Sequence, residues 1–139
     1  MPAGTGNDAD HSTPLVLVVE DDRPTRALLE AVFEQEGLAC RLCSNGHEAM
    51  EQARNARPQL VILDAHLPSV QGEAVATALR IELGAHLPIL LTSAASEADL
   101  ARRVGAYAYL QKPFDIDELM RNVRQGLNLS PEHRGASAA

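Results

Sequence analysis

The stretch that decides the fold is LVLVVEDD at residues 15–22, where five apolar residues run directly into three carboxylates. A nearly continuous apolar run of this length is typical of a strand that is covered on both faces, as in a parallel sheet. The runs at 60–63 (LVIL) and 88–93 (PILLTS) have the same character, and those at 38–43 (LACRLC) and 107–110 (YAYL) are further candidates. The sequence therefore predicts five strands.

Helical patterns fill the intervals between these runs. In the first interval Pro24 lies near the start of the predicted helix and Gly37 follows its end. Its predicted apolar face consists of Leu28, Leu29, Val32 and Phe33. The other predicted helices cover 46–56, 72–83, 97–104 and 115–127, the last with Asp115 as its N-cap. This alternation predicts an α/β fold, a doubly wound parallel sheet with right-handed crossovers.

The two ends of the chain differ from this block in composition. Residues 1–13 and 130–139 are rich in small and polar residues, and we expect a disordered arm and a disordered tail around one domain at 14–129. The N-terminus lacks the basic start and apolar stretch of a signal peptide, and no apolar run approaches the ~20 residues that span a bilayer. We therefore expect a cytoplasmic protein without a membrane partner.

Charge and composition exclude some functions. The chain of 139 residues has 12 Lys and Arg against 19 Asp and Glu, a net charge of −7, and only 3% aromatic residues. An acidic domain with few rings has neither the charge nor the stacking surface for nucleic acid. Cys40 and Cys43 form a C-x-x-C pair within a predicted strand, and we expect buried thiols rather than a redox pair. Lys112 is the only lysine, through chance or because a site needs a compact ammonium.

Polar residues follow the predicted strands at the edge where a doubly wound sheet binds ligands. They are Glu20, Asp21 and Asp22 after the first strand, Asp64 after the third, Thr92 and Ser93 after the fourth, and Lys112 after the fifth. Clustered carboxylates repel one another unless a cation lies between them, and hard oxygen ligands suit Mg²⁺. The alternative for residues 20–22 is a polar turn that caps the first helix. Asp64 is harder to explain in that way, because a carboxylate beside an apolar run is costly unless it is paired.

These residues resemble the receiver domain of two-component response regulators from about Leu15 to Leu127. The matching segments are the acidic pair in LVLVVEDD, the acceptor segment VILDAHLPSVQG, the hydroxyl in PILLTSA and the lysine in YLQKPF. The resemblance implies a flavodoxin-like sheet with strand order 2-1-3-4-5. The interval of 12 positions from Ser93 to Gly105 is about one turn shorter than the family pattern, so a shortened fourth helix is expected. That shortening leaves the family's mode of dimerisation open for this chain.

The same resemblance implies a role for each matching residue. Asp64 would be the phosphoacceptor, with Lys112 and Ser93 as the residues that contact the phosphoryl group. Glu20, Asp21, Asp64 and the backbone carbonyl of His66 would hold Mg²⁺. Ser93 and Tyr109 would form the switch, in which Ser93 moves toward the phosphoryl group and Tyr109 turns inward. Structural roles would fall to Pro68, Gly72 and Pro113, the last after a cis peptide bond.

The resulting hypothesis is a phosphoacceptor rather than a conventional enzyme, one that phosphorylates itself from a donor and dephosphorylates itself weakly. Its expected partners are a sensor histidine kinase or a histidine phosphotransfer domain and a downstream protein, with the chain a monomer or weak homodimer. The short polar end after the last helix suggests a stand-alone receiver. Two alternatives remain: an adaptor that works without phosphorylation, and a phosphatase of the haloacid dehalogenase type. The second would need another Asp two residues after Asp64, where His66 stands.

Overall fold

Residues 14–68 and 70–128 are described by a computed structural model, and the predicted arm at 1–13 and tail at 130–139 lie outside them. Five strands alternate with five helices. The strands are β1 (Leu15–Val19), β2 (Ala39–Cys43), β3 (Leu60–Asp64), β4 (Ile89–Ser93) and β5 (Ala108–Gln111). The helices are α1 (Arg23–Glu36), α2 (Gly46–Ala56), α3 (Gly72–Leu83), α4 (Ala98–Val104) and α5 (Ile116–Gly126). Each predicted element is present, with ends that differ by one residue at most.

All strand pairs are parallel and the sheet order is β2-β1-β3-β4-β5. This confirms the predicted doubly wound sheet and the strand order that the resemblance implied. The register pairs Asp64 with Thr92 and Ser93 with Gln111, so the carboxyl ends of the three strands end at the same level. Polar residues that are far apart in the chain therefore meet at one edge.

The sheet is covered on both faces, as its continuous apolar runs predicted. The residues of β1, β3 and β4 alternate between two buried clusters. One cluster packs beneath α2, α3 and α4, and the other beneath α1 and α5. Because each strand contributes to both clusters, burial of one strand stabilises both layers.

One predicted core position is wrong. Leu29 and Phe33 of α1 are buried, but Leu28 is 48% exposed, so the apolar face of this helix is narrower than its sequence indicated. A leucine directly before a buried one lies about 100° around the helix, at the border of the buried face. Asp115 accepts hydrogen bonds from the backbone N–H groups of Asp117 and Glu118, which confirms it as the N-cap of α5.

Helix α4 has only 7 residues, whereas the other helices have 11 to 14. Leu100 and Val104 are its buried residues. Its C-terminal end is held from α3 by Arg80, whose guanidinium donates to the backbone oxygens of Leu87 (3.4 Å), Val104 and Gly105 (2.9 Å). The contacts with Val104 and Gly105 satisfy carbonyl groups that the end of a helix leaves without partners.

None of the helices in the described part of the chain combines the length and the apolar character that crossing a membrane requires.

Candidate functional site

Three carboxylates meet at the carboxyl edge of the sheet. Glu20 follows β1 and is 2% exposed, Asp64 ends β3 and is 5% exposed, and Asp21 is exposed beside them. One carboxylate oxygen from each lies within 4.8 Å of the others. The predicted acidic cluster is therefore present, and two of its three members are buried.

Lys112 reaches this cluster from the loop after β5. Its ammonium nitrogen lies 2.6 Å from Glu20 Oε1 and 3.3 Å from Asp64 Oδ2. The backbone N–H of the same residue donates to the Ser93 carbonyl at 2.7 Å, and the Lys112–Pro113 peptide bond is cis. One ammonium group thus bridges the ends of the first and third strands.

Burial of these charges shifts their pKa values. Desolvation raises the pKa of Glu20, with a contribution from the charge of Asp64, although the hydrogen bonds from Lys112 and from Asp22 N–H oppose the shift. For Lys112, desolvation alone would lower the pKa, but contact with Glu20 and Asp64 outweighs it and raises the pKa above its usual value. The site therefore holds the lysine in its charged form at neutral pH.

The donor set of this cluster fits a divalent cation. The cluster holds three carboxylates, and one ammonium group contacts two of them, so the cluster as a whole carries excess negative charge. Hard oxygen donors at a solvent-accessible edge suit Mg²⁺, which takes one or two carboxylates and keeps several waters. Asp21 is exposed and could complete such a site from the solvent side.

The helix-capping alternative is correct for one residue of the acidic triplet. Asp22 is the N-cap of α1, and its carboxylate accepts from Thr25 N–H at 3.0 Å and from the Thr25 hydroxyl at 2.5 Å. These bonds lower the pKa of Asp22. Asp22 therefore caps α1, whereas Glu20 and Asp21 belong to the acidic cluster.

The loop after Asp64 packs tightly against the start of α3. His66 N–H donates to Asp64 Oδ1 at 3.0 Å, and Gly72 N–H donates to the Ala65 carbonyl at 3.1 Å. A Cβ atom on Gly72 would lie 2.9 Å from the Ala65 oxygen and 3.0 Å from the Asp64 oxygen. Only glycine allows this close approach of α3 and the backbone of Asp64 and Ala65, the segment that leads to His66 N–H.

Ser93 and Tyr109 lie on the same face of the sheet. Tyr109 pairs with Leu91 in the register, and Ser93 is two residues beyond Leu91, so both side chains point toward the layer of α2, α3 and α4. Ser93 is fully buried, and its hydroxyl accepts from Ala95 N–H at 3.1 Å. Thr92 is also buried, but it alternates to the other face. The register thus favours Ser93 over Thr92 as the hydroxyl beside Tyr109.

Sequence reasoning missed Glu97 as a neighbour of the site. Its carboxylate contacts His66 Nε2, and its backbone N–H donates to the Tyr109 hydroxyl at 2.8 Å. The Tyr109 hydroxyl in turn donates to the Ala95 carbonyl. His66 and Glu97 are 31 positions apart and no local pattern relates them, so only the packed fold brings them together.

Cys43 of the C-x-x-C pair ends β2 at this edge, where its carbonyl accepts from Glu20 N–H at 3.0 Å and its thiol donates to the Val18 carbonyl at 3.4 Å. Cys43 is buried and Cys40 is partly buried, and both are free thiols. Burial raises the pKa of Cys43 to about 12 and also raises the pKa of Cys40. Neither side chain is a reactive thiolate at neutral pH, in keeping with the expected buried thiols.

The model of the response regulator receiver domain family matches residues 16–124. The chain is 36% identical over 134 residues to the transcriptional regulatory protein PrrA of Mycobacterium leprae, covering 94% of this chain and 55% of that protein. It thus spans about half the length of that relative. It is 31% identical over 117 residues to sporulation initiation phosphotransferase F of Bacillus subtilis, covering 82% and 94% of the two chains.

A solved structure has a similar fold. The response regulator protein TrrA of Thermotoga maritima, crystallised in complex with Mg²⁺-BeF, superposes with a TM-score of 0.73 at 31% identity. The match covers 82% of this chain and 99% of that one.

Proposed function

This chain belongs to the response regulator receiver domain family, and from that membership we propose that Asp64 is its phosphoacceptor. Receivers are the phosphoacceptor domains of two-component systems, and neither the adaptor nor the dehalogenase alternative is favoured by the family match. The observation that carries the assignment is the placement of the Asp64 carboxylate. It is nearly buried in the acidic cluster, with His66 N–H on one oxygen and the Lys112 ammonium on the other.

In the proposed reaction an oxygen of Asp64 attacks the phosphorus of a phosphohistidine on the partner. The new O–P bond forms as the P–N bond breaks, and the imidazole leaves with the electron pair. The Lys112 ammonium pairs with one oxygen of the transferred phosphoryl group, and the Ser93 hydroxyl donates to another. Bound Mg²⁺ would neutralise charge on the transferred group. Positioning and electrostatics suffice, so no separate general base is required.

Partners and location are part of the same proposal. The donor is a sensor histidine kinase or a histidine phosphotransfer domain, and the output is contact with a downstream protein, in the cytoplasm. The net charge of −7 argues against nucleic acid as a direct partner of this domain. We propose a monomer or weak homodimer, because helix α4 offers only 7 residues to a helix-mediated contact.

Intact mass spectrometry after incubation with acetyl phosphate tests the function. With Mg²⁺ we expect one added phosphate per chain, and with a chelator in place of Mg²⁺ we expect little or none. An adaptor that is never phosphorylated would keep its original mass in both samples. A mass that stays unchanged with Mg²⁺ would therefore contradict the proposal.

Millimolar Mg²⁺ is expected to raise the melting temperature, because a cation that binds only the folded cluster stabilises the fold. At about ten times the dissociation constant the gain is about 1.4 kcal/mol. Asp21→Ala removes the exposed carboxylate of the cluster and should abolish most of this gain, as thermal melts at several Mg²⁺ concentrations would measure.

Asp22→Asn is the matched control, because asparagine is also a favoured N-cap and Asp22 lies outside the cluster. It removes one negative charge from the adjacent position and should keep the Mg²⁺ response. Equal responses in wild type and Asp21→Ala would overturn the assignment of the cation to this cluster.

Lys112→Arg keeps the charge and is expected to slow phosphorylation and weaken the switch. The ammonium nitrogen lies 2.6 Å from Glu20 and 3.3 Å from Asp64, and we expect a longer planar guanidinium to fit poorly between these two partners. NMR shifts around Tyr109, with and without beryllofluoride, would measure the switch. Full wild-type shifts in this variant would show that the single lysine of the chain is incidental.

A further inference from the structure

The N-terminal end of helix α4 lacks the side-chain cap that three other helices have. Asp22, Asn45 and Asp115 each accept a hydrogen bond from the first turn of their helices. Glu97 occupies the N-cap position of α4 but makes no such bond. Its carboxylate contacts His66 Nε2 instead, so the N–H groups of the first turn lack a side-chain partner from the N-cap residue.

His66 connects this carboxylate to the acceptor. Its backbone N–H donates to Asp64 Oδ1, while its half-exposed ring lines the pocket above Asp64 together with Asp21 and Lys112. One residue therefore contacts the acceptor through its backbone and helix α4 through its ring. A phosphoryl group on Asp64 would occupy this same pocket.

The two ends of α4 are held differently. Arg80 and Gly105 fix the C-terminal end, and Arg103 adds a contact with Glu73 of α3 at 3.5 Å. The N-terminal end depends on Glu97, through its side chain on His66 and its backbone N–H on the Tyr109 hydroxyl. A change at Glu97 therefore reaches both the helix and the switch aromatic.

We propose that His66 is a positioning residue that holds Glu97 away from the helix cap until Asp64 is phosphorylated. This inference rests on the proposed function of Asp64. The phosphoryl oxygens carry about two negative charges, about one more than the carboxylate they replace, and they extend that charge into the pocket, where it attracts the imidazole N–H and repels the Glu97 carboxylate. Glu97 is then free to accept from the N–H groups of the first turn. Phosphorylation thus orders the start of α4, because the Glu97 carboxylate becomes its N-cap.

The variant Glu97→Asp separates the contact with His66 from the cap. Aspartate keeps the charge and is a favoured N-cap, but it is one methylene shorter and does not reach His66. We expect the amides of α4 in the unphosphorylated variant to exchange with solvent about fivefold more slowly than in wild type, the effect of one helix cap. We expect beryllofluoride with Mg²⁺ to slow them in wild type and to add little in the variant.

His66→Ala provides an independent measurement on the other partner. It frees Glu97 without altering α4, so the amides of α4 should become more protected in this variant also. Asp99→Asn is the control, since Asp99 is exposed on the same helix and contacts Arg102 rather than the loop after Asp64. Its exchange should respond to beryllofluoride as in wild type.

The outcomes distinguish this inference from the proposed function. Intact mass with acetyl phosphate is measured on wild type and on each variant, and failure of wild type to gain a phosphate overturns the function. If wild type is phosphorylated but Glu97→Asp and His66→Ala leave α4 exchange unchanged, the role of His66 is overturned. Wild-type protection of α4 that beryllofluoride does not alter would also overturn it.

Discussion

Asp64→Asn is expected to abolish phosphorylation, with no mass added by acetyl phosphate and Mg²⁺. The asparagine amide has nearly the shape of the carboxylate but no anionic oxygen to attack phosphorus. Loss of a nucleophile typically costs about 10⁴-fold or more in rate. The fold should persist, because an amide oxygen can still accept from His66 N–H and removal of the charge relieves repulsion with Glu20. Intact mass and a urea unfolding curve together measure both effects.

Asp22→Asn removes the same charge two residues after Glu20 and serves as the control. Its side chain caps α1 outside the acidic cluster, so this variant should gain one phosphate like wild type. An Asp64→Asn protein that still gains a phosphate would place the acceptor elsewhere in the chain.

Gly72→Ala is expected to lower the free energy of unfolding by about 2 kcal/mol, within the range for overpacking of a tight contact. The new methyl group would meet the backbone oxygens of Ala65 and Asp64, and backbone atoms cannot move aside as a flexible side chain can. Either α3 or the loop after Asp64 must shift, and a shift of that loop moves His66 N–H away from the Asp64 carboxylate. We therefore expect slower phosphorylation as well as lower stability, measured by urea unfolding and by the rate of mass gain.

Gly46→Ala is a matched control at the first residue of another helix. Its new Cβ would meet the side chains of Val75 and Val70 at 2.9 and 3.2 Å, rather than backbone oxygens. Side-chain atoms can give way without moving the backbone of Ala65 and Asp64, and Val70 is 39% exposed, so the phosphorylation rate should stay near that of wild type. Equal losses of rate in the two variants would show that Gly72 has no particular role beside the acceptor.

The sequence predicted the strands and the edge residues because both depend on local patterns. An apolar run ending in a carboxylate, as in residues 60–64, marks a buried strand and its carboxyl end at once. Parallel pairing then brings the carboxyl ends of all such strands to one edge of the sheet. The sequence alone therefore predicted that Glu20, Asp64 and Lys112 lie close together, as they do. The shortened fourth helix was also readable, since its interval in the chain is short.

The sequence could not reveal contacts that depend on the orientation of packed side chains. Leu28 follows the same apolar pattern as Leu29, yet the rotation of α1 on the sheet leaves it half exposed. From the sequence, Arg80 is an ordinary charged residue on the surface of α3. Only the fold shows that its guanidinium contacts the end of α4. His66 and Glu97 likewise lie in two different loops. Their separation along the chain does not indicate that their side chains are in contact in the fold.

The attachment of α4 by Arg80 limits how far this helix can travel. Seven residues make a rod about 10 Å long, and Arg80 pins one end of that rod to the neighbouring helix. Because its C-terminal end is held, the helix can rotate about that end but cannot translate along its axis. A displacement at Glu97 therefore becomes smaller along the helix and is close to zero at Gly105. A protein that binds this helix would therefore detect a change of position at the first turn, while the last turn offers it a contact surface that does not move.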